Sequence, residues 1–195
     1  MEDGNDSPPV AANAAASQIP VDLFVSKNHP GVPQGNLGFA DSSGELLFRV
    51  APLPSPKAWK SRQSKKLILN SSGSPLISLH RLDKGSWEGF EGGEDTEKEM
   101  LFRVQRTVNK LCRTEFEVFL AGESSQDQSS PDFKVKGCCF QRSCTIYGGD
   151  SIVAQTSLMY KLHEVHASRS KFRLTVFPGS IDHALVVALV VVFLS

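Results

Sequence analysis

The 195-residue chain has no excess of either charge, with 21 Lys and Arg set against 21 Asp and Glu. That balance excludes a protein that coats nucleic acid by bulk electrostatics, although it leaves room for a local basic patch. The N-terminal MEDGNDSPPVAANAAASQ lacks the basic-then-apolar order of a signal peptide, so secretion by that route is not expected. On that reading the glycosylation-like triplets at Asn5 and Asn70 are chance matches, and Cys112, Cys138, Cys139 and Cys144 stay reduced in a cytosolic or nuclear setting. There is no G-x-S-x-G elbow, no P-loop and no dinucleotide-binding glycine fingerprint, so the common enzyme signatures are missing. The longest apolar run, Ala184 to Leu194, falls well short of the roughly 20 residues that span a bilayer.

What is present is strand chemistry. Hydrophobic residues make up 40% of the chain, enough for a sizeable core. After a flexible tail over residues 1–20, one domain is expected over 21–195. Short runs rich in Val, Ile, Leu and Phe predict strands near 21–27, 37–40, 45–51, 66–70, 75–81, 86–90, 99–107, 115–120, 132–139, 144–148, 151–157 and 171–177. Leu67/Leu69, Phe116/Val118 and Phe172/Leu174/Val176 are each expected to point one way while their polar neighbours point the other. Turns recur: Asp41-Ser-Ser-Gly44, Asn70-Ser-Ser-Gly73 and Tyr147-Gly-Gly-Asp150 each separate two apolar runs with Asx and glycine. Consecutive hairpins of this kind build an antiparallel meander. Longer connections interrupt it at Pro52–Lys65, Glu91–Glu99 and Ala121–Pro131, the last of them expected to be mobile.

The segment after Pro178-Gly179 is different. Ser180 reads as a helix N-cap and Asp182 as a first-turn acid, with an all-apolar helix following to about residue 195. A helix that is hydrophobic all round is buried in a core or in a bilayer. The short run and the lack of a basic flank favour the core over a tail anchor. Five valines count against a helix, but a strand of that length would be very long. A closed sheet of about twelve strands is too wide to fill itself with side chains and has room for one helix. A 15-residue helix is about 22 Å long and a six-residue strand about 20 Å, so the lengths match. The expected fold is therefore mainly β, a closed antiparallel barrel around a buried C-terminal helix.

ADSSGELLFRV, LILNSSGSPLISL, SWEGF, LFRVQRT, CTIYGGDSIVAQ and KFRLTVFPGSIDHALVVALVVVFL occur in an order that resembles the plant LURP-one-related proteins, from about Val21 to the C-terminus. The resemblance implies a tubby C-terminal-like barrel, shared with phospholipid scramblases, and a link to plant defence. It assigns no biochemistry. The basic connection KAWKSRQSKK and the acidic one between Glu91 and Glu99 depart from the family pattern, so no role is carried over to them.

Sites for chemistry are few. His163-Glu164-Val165-His166 is one residue short of H-E-x-x-H and has no third ligand nearby, so no metal site is expected. Cys138, Cys139 and Cys144 read as structural thiols, and Trp87 as a core residue. No cofactor is expected. The strongest surface signal is Lys57, Lys60, Arg62, Lys65 and Lys66, interleaved with Trp59 and free of acids. Such a stretch suits anionic lipid head groups, nucleic-acid phosphates or nuclear import, or is a solvated loop guarding a sheet edge. The acidic run over 88–99 is expected merely to balance it.

The leading reading is a non-enzymatic monomer, cytoplasmic or nuclear, that docks peripherally on the inner face of the plasma membrane through those five residues. Its ligand would be a phosphoinositide or another anionic lipid. Resemblance to tubby proteins adds a nuclear role on release, by analogy of fold alone. The alternative is a protein-interaction or structural module in defence signalling that binds no lipid. Scramblase-like lipid translocation would need the terminal helix in a bilayer.

Overall fold

Asx side chains close the hairpins. Asp41 Oδ1 accepts from the backbone N–H groups of Ser43 and Glu45, both at 2.9 Å, and Gly44 takes the positive φ of 86° that the turn requires. Asn70 repeats the device: its Oδ1 accepts from Ser74 N at 2.8 Å, and Gly73 has φ 92°. In the computed structural model, which describes residues 19–53, 65–82, 85–93, 99–122, 130–159, 171–179 and 181–195, such turns join consecutive antiparallel strands.

The strands are β1 (Val21–Ser26), β2 (Gly38–Ala40), β3 (Leu46–Leu53), β4 (Lys65–Asn70), β5 (Pro75–Arg81) and β6 (Trp87–Glu91). They continue as β7 (Met100–Lys110), β8 (Arg113–Leu120), β9 (Phe133–Cys138), β10 (Ser143–Gly148), β11 (Ser151–Leu158) and β12 (Lys171–Val176). Each pairs with its neighbours in sequence, and β12 pairs back with β1 from Val21↔Val176 to Ser26↔Lys171, closing a barrel. The seam carries its own polar clasp, with Asp22 accepting from Thr175 Oγ1 and lying 3.6 Å from Arg173 Nη1.

Helix α1 (His183–Phe193) runs through the barrel. Every residue from Val186 to Phe193 is buried, so the apolar ring read from the sequence is matched by a wall of strands on all sides. Phe193 meets Phe116 edge-on at 6.4 Å. Phe102 lies so close over β6 that a Cβ on Gly89 would sit 2.3 Å from its ring, so only glycine fits there.

The structure corrects two local expectations. The N-cap is Asp182, whose Oδ1 accepts from Ala184 N at 2.9 Å, and the helix spans 183–193 rather than about 180–195. On β4 Leu67 and Leu69 do share one face, the outer wall, but the neighbour between them on the inner face is the buried, apolar Ile68 rather than a polar residue. The reason is register: Ile68 pairs with Ile77, itself buried, and an alternating strand offers the core only one parity. Phe116/Val118 and Phe172/Leu174/Val176 face inward as their alternation predicts, and Trp87 is fully buried.

Candidate functional site, the basic rim of the barrel

A meander alternates its connections between the two ends of the barrel, and here that alternation sorts charge. The rim where α1 ends holds Lys27 after β1, Lys65 and Lys66 opening β4, and Arg81 closing β5. Lys110 and Arg113 flank the β7–β8 turn, Arg142 precedes β10, and Lys171 opens β12. Among the described residues of these connections and strand ends there is no carboxylate side chain. The connections at the opposite rim hold Asp41, Glu45, Glu91, Glu99, Asp132, Asp150 and Asp182 and, among their described residues, no Lys or Arg, although the Arg49 guanidinium of β3 reaches the Gly73 turn and Lys171 lines a pocket with Asp41. The α1 dipole has the matching sense, with its partly negative C-terminus at the basic rim.

At the basic rim a cavity of about 220 Å³ is lined by Lys27, Asn36, Lys65, Lys66 and Arg142, with Leu37, Val50, Pro52 and Leu194 as its apolar wall. None of these four cations is ion-paired among the described residues. Lys66 shares the inward parity of Ile68, and its Nζ donates to Ser195 Oγ, which donates in turn to the Val191 carbonyl of α1. The same ammonium sits 5.9 Å from the Trp87 ring centre, with the Arg81 guanidinium 5.8 Å from that ring. Burial holds the Lys66 pKa below its ordinary value, and the charges of Arg81 and Lys27 add to the effect.

Backbone constraints place Arg142. It takes the left-handed conformation (φ 52°) after the 3₁₀ turn Cys139–Gln141, its N–H donating to Cys139 O at 3.2 Å. Thr156 Oγ1 donates to the Arg142 carbonyl and accepts from Cys144 N, both at 2.8 Å. Cys139 Sγ donates to Phe193 O at 3.1 Å, tying this turn to the end of the helix. The cations are thus mounted on a rigid strand-and-helix frame. The arrangement has the chemistry of an anion receptor: converging, unneutralised donors over an apolar floor.

The LURP-one-related family model matches residues 21–194, the barrel and its helix together. The chain belongs to the LURP-one-related family. It is 52% identical over 178 residues to LURP-one-related 7 of Arabidopsis thaliana, covering 91% of each chain. It is also 30% identical over 178 residues to LURP-one-related 15 of the same plant, covering 89% of this chain and 78% of that protein.

In this LURP-one-related barrel, only Lys65 and Lys66 of the five predicted site residues lie within the described residues, and both line the cavity. Lys57, Lys60 and Arg62, with Trp59, lie outside them, in the part of the chain between Leu53 and Lys65. The His163–His166 cluster also lies outside. Reading along the chain missed Lys27, Arg81 and Arg142, which stand far from the lysine-rich stretch. Assigning alternate connections of the predicted meander to opposite ends would have gathered all three. Most of the acidic connection between β6 and β7, residues 94–98, lies outside the described residues as well. No helix among the described residues is long and apolar enough to cross a membrane.

Proposed function

We propose that the protein is a non-enzymatic, peripheral binder of anionic membranes, docking by its basic rim on phosphoinositide-bearing or other anionic lipid. The observation that carries this reading is the cavity shared by Lys27, Lys65, Lys66 and Arg142, which has no carboxylate among its lining residues. Each basic residue near an anionic surface contributes roughly 1 kcal/mol, so four supply about 4 kcal/mol, or roughly a thousandfold in partitioning. The attraction falls with salt, because at physiological ionic strength charges are screened beyond about 8 Å. Docking at the inner face of the plasma membrane, with a cytoplasmic or nuclear pool and a regulatory role in plant defence, is the cellular form of this reading. The tubby-like resemblance supports it.

Sedimentation with phosphatidylcholine vesicles, with and without phosphatidylserine or phosphoinositide, tests the reading at low and physiological salt. Binding that needs anionic lipid, weakens with salt and disappears when Lys27, Lys65, Lys66 and Arg142 become Gln is the expected result. Absence of binding in every arm would reject membrane docking and leave a protein-interaction module.

A further inference from the structure

We infer that the protein does more than rest on an anionic bilayer: the tips of two adjacent connections, at Leu111 and Phe140, insert into it. The inference deepens the membrane-docking reading and rests on it.

Leu111 is 77% exposed and Phe140 is 55% exposed, an unfavourable placement for large apolar groups in water. Leu111 sits in the two-residue tip that joins β7 to β8, and Phe140 in the 3₁₀ turn between β9 and β10. Strands β8 and β9 are paired, and Thr114 faces Gly137 across the ladder. Leu111 precedes Thr114 by as many residues as Phe140 follows Gly137, so the two residues lie in neighbouring connections beyond the same rung, at the basic rim.

Two further observations select lipid as the occupant. The apolar tips carry basic flanks: Lys110 and Arg113 bracket Leu111-Cys112, and Arg142 follows Phe140-Gln141. Arg113 is engaged by Glu115 at 2.6 Å, while Lys110 and Arg142 make no ion pair among the described residues. Apolar tips between cations fit the boundary of an anionic bilayer, where head groups meet the flanks and acyl chains meet the tips. The Phe140 tip is also continuous with the basic cavity. Phe140 and Cys139 line a second groove of about 230 Å³ with Arg142 and Leu194, and those last two also line the basic cavity. One surface therefore presents the phosphate site and the wedge together.

The hairpin that presents Leu111 is paired up to its tip, with one bulge at Thr107. Eight register pairs join β7 to β8, from Phe102↔Leu120 to Lys110↔Arg113, and the Cys139 thiol fastens the Phe140 turn to the helix end. Pre-organised tips lose little conformational entropy on insertion.

The test uses the full chain and phosphatidylcholine vesicles with and without phosphatidylserine. The paired variant Leu111→Ser with Phe140→Ser is expected to lower partitioning onto the anionic vesicles by roughly ten- to a hundredfold. A polarity-sensitive label on the exposed Cys112 reports position directly, since Cys138 and Cys144 are buried and Cys139 is half-buried. Its emission is expected to shift blue on binding and to be quenched by lipids brominated on the acyl chain. Salt-sensitive binding by the parent chain that the paired variant retains in full, with the Cys112 label still in water, would overturn insertion and leave electrostatic docking standing. Failure of the parent chain to bind any vesicle would overturn both, as a face built for a protein partner would do.

Discussion

The two rims of this barrel are built from the same strands and differ almost completely in charge. At the basic rim the described cations have few carboxylate partners, and four of them line a cavity at the end of the helix. At the acidic rim several carboxylates are employed in local structure: Asp41 closes a turn, Asp132 Oδ2 accepts from Leu120 N at 2.8 Å, and Asp182 caps α1. Carboxylates committed to backbone N–H groups hold loops and helix ends in place, whereas unpaired cations remain available to a ligand. A net charge of zero thus conceals a molecule with one end committed to its own architecture and the other, on the function proposed above, open to an external anion. The comparison also explains why bulk charge was a poor guide to partners: the quantity that matters is the charge on each rim.

The severest way to break the comparison is to remove what both rims share. Val190→Asp places a carboxylate in the fully buried helix and is expected to abolish the cooperative thermal transition and both rims with it, a cost of several kcal/mol. Next in size is the charge exchange. Lys27, Lys65, Lys66 and Arg142 changed to Gln should lose about a thousandfold in anionic-vesicle partitioning, while Glu99→Gln with Asp150→Asn at the other rim should lose none. An acidic-rim variant that abolished binding would sink the distinction between the ends.

Alkaline titration sharpens the picture at the basic rim, with two opposing slopes. Burial raises the Cys144 thiol from 9.0 to about 12, so the folded state keeps a proton that the unfolded state releases. Stability from this group is complete below pH 9 and is lost between pH 9 and 12, by on the order of a few kcal/mol; Cys144→Ala should remove that decline in a denaturation series. Lys66 acts in the reverse sense. Its lowered pKa means that the unfolded state binds the extra proton, so stability rises as pH climbs toward 10.5, and Lys66→Met should erase that rise. The smallest effect belongs to the acidic rim's turns: Asn70→Ala removes the acceptor of Ser74 N and should cost about 1 kcal/mol in denaturant, with vesicle binding unaltered.

Much of this fold can be read from the chain, because its signals are local. Asx-Ser-Ser-Gly turns and period-two runs mark most of the hairpins, and an apolar run too short for a bilayer marks the helix. The sequence left parity on β4 undecided because Leu67, Ile68 and Leu69 are all apolar and alternation has no contrast there; only pairing with Ile77 decides which faces inward. The β7–β8 hairpin proved longer than predicted, running to Lys110 and resuming at Arg113. Its tip, Lys110-Leu111-Cys112-Arg113, has neither glycine nor Asx to announce a turn. The site was half legible for a related reason. Lys65 and Lys66 stand in a conspicuous basic stretch, but Lys27, Arg81 and Arg142 join them only through barrel closure.

That closure has a consequence for how the molecule comes to exist. In chain order α1 follows all twelve strands, yet it supplies the filling around which they close. During synthesis the strands therefore emerge before the helix that covers their inner faces, and the β1–β12 seam must wait for a partner about 150 residues distant. Contacts of such sequence separation make folding slow. Until the helix arrives the sheet has two open edges and an uncovered apolar face, the features by which nascent chains recruit chaperones or aggregate. The helix works as a keystone, set last, and the vulnerable stage in this protein's life precedes its placement.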